Sequence, residues 1–170
     1  MYGCGRPGLI APTERLHAAW LQGHAEWVAG LHEDGLGLLA TDEVDSPAGF
    51  QAWVARLADE SGGTCWWIVD GDQVLGGIAL RHQNHELAAR AGHIGYGSQP
   101  SSRGRGLATW ALGQVVDEAR VLGMERVIVV CEAGNRASAK TIERQGGILD
   151  VGRDSENGAS RRYWIRISGQ

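Results

Sequence analysis

Several kinds of residue and segment are scarce in this chain of 170 residues, and each shortage excludes a class of protein. No apolar run approaches the length that crosses a membrane, and the N-terminus lacks the apolar segment of a signal peptide. Repeats and low-complexity segments are also missing. We therefore expect one globular domain over residues 1–170 that is cytoplasmic and does not bind a membrane.

Cysteine is scarce as well. Cys4, Cys65 and Cys131 form an odd set without a Cys-x-x-Cys pair. Two of them lie in apolar strand patterns, which is typical of small buried side chains in a reducing compartment. His82 and His85 are three residues apart, but the sequence places no third ligand beside them. The sequence therefore predicts no metal site.

Lysine occurs once, at Lys140, and the net charge is −4. A P-loop requires Gly-Lys-Ser/Thr after its spacer residues, so the chain has no P-loop. No stripe of lysine or arginine interleaved with aromatic residues is present. A nucleic-acid partner would require a continuous basic surface, and we expect none.

The most informative segment that is present is Arg-Gly-Arg-Gly-Leu-Ala at 103–108. It follows an apolar alternating run at 93–98 and precedes a helical pattern at 109–122. A glycine-rich turn between a strand and a helix makes an anion site, because glycines admit close approach to the backbone and first-turn N–H groups lack partners. Arg103 and Arg105 add charge that suits a phosphate.

The spacing of this segment fails to match one known phosphate loop and resembles another. The dinucleotide fingerprint requires a third glycine where this chain has Thr109, so that pattern does not match. The pattern Arg103-x-x-Gly106-x-Ala108 instead resembles the acyl-CoA pyrophosphate loop of the GNAT superfamily of N-acetyltransferases. The resemblance covers roughly residues 64–168. The combination of His-Ile-Gly-Tyr at 93–96, Gly-Gly at 146–147 and Arg-Tyr-Trp at 162–164 is similar to a bacterial subgroup of predicted acetyltransferases.

The segment after this loop continues the resemblance. An apolar, β-branched strand pattern at 126–132 is followed by Asn135, which opens a helix. The segment is similar to the GNAT region where an asparagine and a small residue three positions later, here Ser138, pack along the pantetheine and pyrophosphate arm. The resemblance thus implies acetyl-CoA as acyl donor, held by Tyr96, Gly97, Ser98, Arg103, Gly104, Arg105, Gly106, Leu107, Ala108, Thr109, Asn135 and Ser138.

Local signals predict the remaining elements. Thr13 caps one helix, Ser46-Pro47 begins a second, and Asn157-Gly158 is a strong hairpin turn. The predicted elements are helices over 13–29, 46–59, 109–122 and 135–146, a strand pair over 64–69 and 73–80, strands over 93–98 and 126–132, and a final hairpin over 148–156 and 160–168. This order predicts an α+β fold. As in GNAT domains, we expect a mixed, mostly antiparallel sheet with helices on both faces and a parallel strand pair splayed around acetyl-CoA.

The catalytic groups are less defined. His93 begins the strand where related sequences often carry a glutamate, and histidine suits a base near neutral pH, so it is one candidate proton acceptor. Glu132, at the end of the next strand, is another candidate, through a water relay. Many GNAT enzymes carry a tyrosine acid seven residues after the asparagine, where this chain has Ile142. Tyr163 or Tyr96 could replace that acid, although core packing also accounts for both, and a thiolate leaving group does not require a dedicated acid.

The acceptor site is expected beside the polar loop at 81–86. Arg81 and His82 are its candidate substrate contacts, and Trp20 or Trp27 could line an acceptor groove. We expect the acceptor to be a primary amine of a small polar molecule. The sequence leaves open an antibiotic- or protein N-terminus-directed enzyme, a non-catalytic acyl-CoA-binding module and a homodimer.

Overall fold

One seven-stranded sheet organises the protein. The computed structural model describes residues 5–27, 37–85, 87–151 and 158–167. The strand order is β1-β2-β3-β4-β5-β7-β6, and every neighbouring pair is antiparallel except β4 and β5, which are parallel. The strands are β1 Gly8–Ile10, β2 Gly63–Asp70, β3 Gln73–Arg81, β4 Ile94–Ser98, β5 Arg126–Glu132, β6 Ile148–Leu149 and β7 Ser160–Arg166. This architecture confirms the predicted mixed, mostly antiparallel sheet.

Helices cover both faces of the sheet. They are α1 His17–His24, α2 Pro47–Asp59, α3 Ala88–Ala91, α4 Leu107–Val121 and α5 Arg136–Arg144, with short 3-10 helices at Glu14–Leu16 and Pro100–Ser102. The predicted caps are present, because Thr13 and Ser46 accept backbone N–H groups at the starts of their helices. None of the helices in the described ranges is long and apolar enough to span a bilayer.

Two apolar clusters bury the two faces of the sheet. The first cluster packs α4 and α5 against one face, and its fully buried members include Leu112, Val115 and Ile142. The second packs α1 and α2 against the other face through Trp20, Phe50, Trp53 and Trp67. The aromatic rings of the second cluster lie 4.8–6.1 Å apart, in tilted and edge-on arrangements.

Some predicted boundaries differ from the structure. Helix α1 ends at His24 rather than near 29, and residues 28–36 lie outside the described ones. The polar loop after β3 contains the one-turn helix α3. Strand β1, with only three residues at the edge of the sheet, was not predicted. Strand β6 has two residues, and the Asn157 half of the predicted turn lies outside the described residues.

Candidate functional site

An open cleft separates the only parallel strand pair of the described sheet. Strands β4 and β5 are paired at Ile94 and Val129, and no further pair in the described register joins them. Just before this point the N–H of His93 donates to the Ile128 carbonyl over 2.7 Å. Beyond it, β4 stays paired with β3 as far as Ser98 and no longer pairs with β5 in the described register, so the two strands diverge as predicted.

The backbone of β4 presents donors to this cleft. The N–H of Gln99 donates to the Leu75 carbonyl of β3 over 2.9 Å. Because successive residues of a strand direct their N–H groups to opposite sides, those of Tyr96 and Ser98 point toward the open edge. Gly97 between them has no side chain to crowd a ligand there.

The predicted phosphate loop lies between β4 and α4. Gly104 and Gly106 both have φ of 76°, a left-handed conformation that favours glycine. A Cβ built on either glycine would meet no other atom within 4 Å, so the space beside this turn is open. Helix α4 begins after Gly106 without a side-chain cap, and its first backbone bond runs from Trp110 N–H to the Gly106 carbonyl. The N–H groups of Leu107, Ala108 and Thr109, in the first turn of the helix, therefore have no backbone acceptor and can bind an anion such as a pyrophosphate.

Two arginines border this turn. Arg103 donates from Nε to the Ser98 carbonyl over 3.2 Å, and its guanidinium lies 5.3 Å from the centre of the Trp27 ring. Arg105 lies 3.8 Å from the carboxylate of Asp70, and about half of its side chain is exposed, at 49%. Both cations thus stand at the rim, where their solvent-facing donors can contact a phosphate.

Helix α5 forms the opposite wall of the cleft. The Asn135 side chain accepts the Ser138 N–H over 3.0 Å and so caps the helix. Ser138 Oγ shares a hydrogen bond of 2.6 Å with the Tyr96 hydroxyl. Burial raises the pKa of Tyr96 to about 12, so this phenol stays protonated at neutral pH. Burial also raises the pKa of the nearby Cys131 thiol.

His93 is buried at the narrow end of the cleft, with 8% of its surface exposed. Its Nδ1 accepts the backbone N–H of Ile128 over 2.9 Å. Burial lowers the pKa of His93, and the positive charges of Arg162, Arg126 and Arg81 lower it further. A backbone N–H can only donate, so the lone pair of Nδ1 is already engaged and the neutral ring carries its proton on Nε2.

The other candidate acid and base groups are dispersed. Tyr163 is 1% exposed and donates its hydroxyl to Glu143 on α5 over 3.2 Å, and burial raises its pKa. Glu132 is exposed at the end of β5, where its carbonyl accepts the Asn135 N–H. Ile142 is fully buried in the core. The structure therefore places neither Tyr163 nor Glu132 next to His93 in a hydrogen-bonded set.

A cavity of about 510 Å³ lies on the face of the sheet that α1 and α2 cover. Arg81 lines it, together with His24 at the end of α1 and His85. Ala79, another lining residue, is the cross-strand partner of Gly95 on β4. Because cross-strand partners face the same side, Gly95 lies on the face of the sheet that the cavity occupies, although none of the residues that line the cavity belongs to β4.

The two predicted substrate residues separate in the structure. Arg81 lines the larger cavity, and its Nη1 donates to the Gly92 carbonyl over 3.1 Å. His82 instead lines a neighbouring cavity of about 380 Å³, and its Nε2 lies 3.4 Å from Thr64 Oγ1. His85 borders both cavities.

Three residues border the site in ways that the sequence did not indicate: Glu26 and His24 were not singled out, and Trp27 was expected to line the acceptor groove. The carboxylate of Glu26 accepts the N–H and hydroxyl of Ser101 over 3.0 and 2.9 Å, which joins the end of α1 to the loop before the phosphate turn. Trp27 supplies the ring beneath Arg103. His24 stacks on Trp20 at 4.5 Å, and its buried Nδ1 has no hydrogen-bond partner among the described residues. None of these contacts has a sequence signal, because each joins distant segments.

Metal ligands do not cluster in the described ranges. Within them, no group of three or more histidine, cysteine, aspartate or glutamate side chains is arranged to hold an ion. Cys65 and Cys131 are buried and form no disulfide, and Cys4 lies outside the described residues.

Comparisons with known proteins agree with this geometry. The family model of the acetyltransferase (GNAT) domain matches residues 14–148. No curated protein matches the chain significantly.

Among solved structures, the chain is similar to RimL, a ribosomal L7/L12 alpha-N-protein acetyltransferase in complex with coenzyme A. The two are 20% identical, with a TM-score of 0.71, and the match covers 98% of this chain and 97% of RimL. The microcin C7 self immunity acetyltransferase MccE, in complex with acetyl-CoA and AMP, is 17% identical with a TM-score of 0.66, over 95% of this chain and 92% of MccE. An acetyltransferase from Salmonella typhimurium that modifies the N-terminal serine of L7/L12 is 20% identical with a TM-score of 0.67, over 95% of each chain. At these identities the likeness shows a common fold.

Proposed function

Because the chain belongs to the GNAT acetyltransferase family, and proteins of the same fold have been solved with CoA or acetyl-CoA bound, we propose that it transfers the acetyl group of acetyl-CoA directly to a primary amine of a small polar molecule. The observation that carries this proposal is the uncapped start of α4 after two left-handed glycines, beside strands that diverge. This combination provides an anion site and a cleft that can receive an extended arm.

The donor would be held along one continuous path. The free N–H groups of Leu107, Ala108 and Thr109 and the left-handed turn suit the pyrophosphate, and the two rim arginines add charge. Tyr96, Gly97 and Ser98 on β4 and Ser138 on α5 would flank the pantetheine arm. Asn135 contributes by capping α5 and so fixing the position of Ser138.

The reaction proposed here requires polarisation of the thioester carbonyl. The open-edge N–H groups of Tyr96 and Ser98 are fixed by the β3–β4 ladder and can donate to the carbonyl oxygen as negative charge develops there. The amine nitrogen attacks the carbonyl carbon, the C–N bond forms, and the C–S bond breaks with release of the CoA thiolate. The nitrogen loses one proton to water as the amide forms, and the thiolate takes one proton from the Tyr96 hydroxyl, Tyr163 or water.

The acceptor would enter from the face of the sheet that α1 and α2 cover. The cavity of about 510 Å³ falls in the size range of small-molecule sites, and it combines apolar walls with Arg81, Glu60 and His24. The unpartnered Nδ1 of His24 offers a hydrogen-bonding position to a polar acceptor. His82 lines the adjacent cavity, so only an acceptor long enough to extend beyond Arg81 and His85 would contact it.

A protein N-terminus is the second candidate acceptor. RimL and the Salmonella typhimurium enzyme, both similar in fold, act on the N-terminus of ribosomal protein L7/L12. A cavity open to solvent accepts the first residue of a peptide as readily as a free amine, so its volume does not separate the two acceptors.

One assay tests the proposal and separates these candidates. Purified protein would be incubated with acetyl-CoA and three sets of acceptors: amino acids with their amides, amino sugars including aminoglycosides, and short peptides with different N-terminal residues. Release of free CoA thiol would be followed together with product masses. A mass increase of one acetyl group on a small amine supports the proposal, and acetylation of peptides alone supports the second candidate. Acetyl-CoA binding without turnover on all three sets would refute both, and it would indicate an acyl-CoA-binding module.

A further inference from the structure

His93 is held at the narrow end of the cleft by three hydrogen bonds that use its backbone and its ring. Its N–H donates to the Ile128 carbonyl over 2.7 Å, and its carbonyl accepts the Arg81 N–H over 2.6 Å. Its Nδ1 accepts the Ile128 N–H over 2.9 Å. We propose that His93 is a positioning residue, a clasp that fixes where β4 and β5 separate, and that it is not the proton acceptor. This inference rests on the proposed function.

The imidazole ring is needed as an acceptor for the Ile128 N–H, because the backbone carbonyl of His93 is not available to it. The His93 carbonyl faces β3, where Arg81 occupies it. The Ile128 N–H is therefore left without a carbonyl from this residue, and the imidazole supplies the acceptor instead. A buried N–H without an acceptor would cost free energy, so the ring nitrogen closes the ladder at this point.

Gly92 brings the clasp close to β5. It has φ of 82°, and a Cβ built on it would lie 2.7 Å from the Ile128 carbonyl oxygen and 3.3 Å from Val129 Cα. That carbonyl is the one that accepts the His93 N–H. Gly92 and His93 thus bring the backbone before β4 into close contact with β5, and the two strands diverge immediately afterwards.

The clasp acts on the chemistry through the β4 backbone. The cleft opens two residues after His93, so the clasp determines how far the open-edge N–H of Tyr96 stands from β5. A small change at this point alters the direction of the donors that would face the thioester carbonyl. Such preorganised donors contribute strongly to the rate of acyl transfer.

The ring geometry provides a matched pair of variants. In His93→Asn the side-chain oxygen occupies the position of Nδ1 and can still accept the Ile128 N–H. In His93→Gln the oxygen lies near the position of Nε2 and leaves that N–H without an acceptor. A proton acceptor would be lost equally in both variants, because amides do not accept protons near neutral pH. The two hypotheses therefore predict different orders of activity.

Three measurements test the clasp. Nitrogen-15 NMR of the wild-type protein should show the neutral ring of His93 with its proton on Nε2. Hydrogen exchange of the Ile128 N–H should stay slow in His93→Asn and become at least tenfold faster in His93→Gln. With the amine found in the acceptor assay, kcat of His93→Asn should stay within about tenfold of wild type and keep the acidic limb of its pH profile, whereas kcat of His93→Gln should fall further.

Several results would overturn the clasp. A proton on Nδ1, or equal protection of the Ile128 N–H in both variants, would contradict it without any turnover. Equal losses of kcat of about 10²–10⁴-fold in both variants, with the acidic limb gone, would identify His93 as a general base instead. If the wild type acetylates no amine, the proposed function fails, and the NMR and exchange results still decide the clasp.

Discussion

The sharpest prediction concerns the residue before α4. Gly106 has φ of 76° and open space around the position of a Cβ. Asparagine and aspartate have the same shape there, and both tolerate the left-handed region better than other side chains at a cost of about 1 kcal/mol. Gly106→Asn and Gly106→Asp should therefore lose similar stability, and only Gly106→Asp places a negative charge in the proposed pyrophosphate site.

The charge sets the expected size of the effect. A carboxylate about 5 Å from one phosphate charge, at an effective dielectric constant of about 20, is repelled by about 3 kcal/mol, and salt reduces this to about 2 kcal/mol at an exposed site. The Kd for acetyl-CoA should therefore be about 30-fold higher in Gly106→Asp than in Gly106→Asn. Isothermal titration calorimetry measures the two constants, and thermal unfolding measures the two stabilities.

A control for backbone strain lies at the other end of the same helix. Gly123 also has φ of 76° and nothing within 4 Å of a built Cβ. Gly123→Asn should lose the same stability as Gly106→Asn and bind acetyl-CoA like the wild type. Equal affinity of folded Gly106→Asp and Gly106→Asn would refute the pyrophosphate assignment, because only the charge distinguishes them.

Four further predictions follow from other parts of the site. Arg103→Ala should weaken acetyl-CoA binding by roughly 1–3 kcal/mol in calorimetry, the range for a charge-assisted contact, whereas Arg120→Ala at the far end of α4 should have no effect. Arg81→Ala should raise the acceptor KM while acetyl-CoA affinity stays constant, and an unchanged KM would remove the residue from the acceptor site. His24→Phe, which keeps an aromatic ring, should also raise the acceptor KM if the ring nitrogen contacts the acceptor, and wild-type kinetics would contradict that contact. The pKa of His93 is lower in the folded protein than in the unfolded chain, so below about pH 6.5 the unfolded chain binds a proton that the folded protein does not. The free energy of unfolding should therefore fall as the pH drops from about 6.5 toward the folded pKa. Denaturant unfolding across this pH range should show a smaller fall for His93→Asn than for the wild type.

The sequence was sufficient to predict the elements that depend on local signals. Ser46-Pro47 begins α2 at the predicted residue, and the strand over Arg126–Glu132 has the predicted bounds. The glycines of the phosphate turn are left-handed, and Asn135 opens α5. These features are encoded within a few residues of one another, so a single sequence reveals them.

Contacts between distant segments could not be predicted in the same way. The sequence indicated that His93 is important, but not that its ring accepts an N–H from a strand 35 residues away. Nor did it separate Arg81 from His82, because the last residue of a strand and the residue after it can face different cavities. The position of His24 on the cavity depends on how α1 crosses the sheet, and that packing has no local signature.

The single meeting point of β4 and β5 also has a consequence for folding kinetics. The β2–β3 hairpin and helix α4 form from neighbours in sequence, whereas His93 and Ile128 must close a long loop before their hydrogen bonds form. The cleft is therefore expected among the last parts of the domain to form and the first to open. A variant that slows this closure would lengthen the time during which the edges of both strands are unpaired, and so favour aggregation before the site exists.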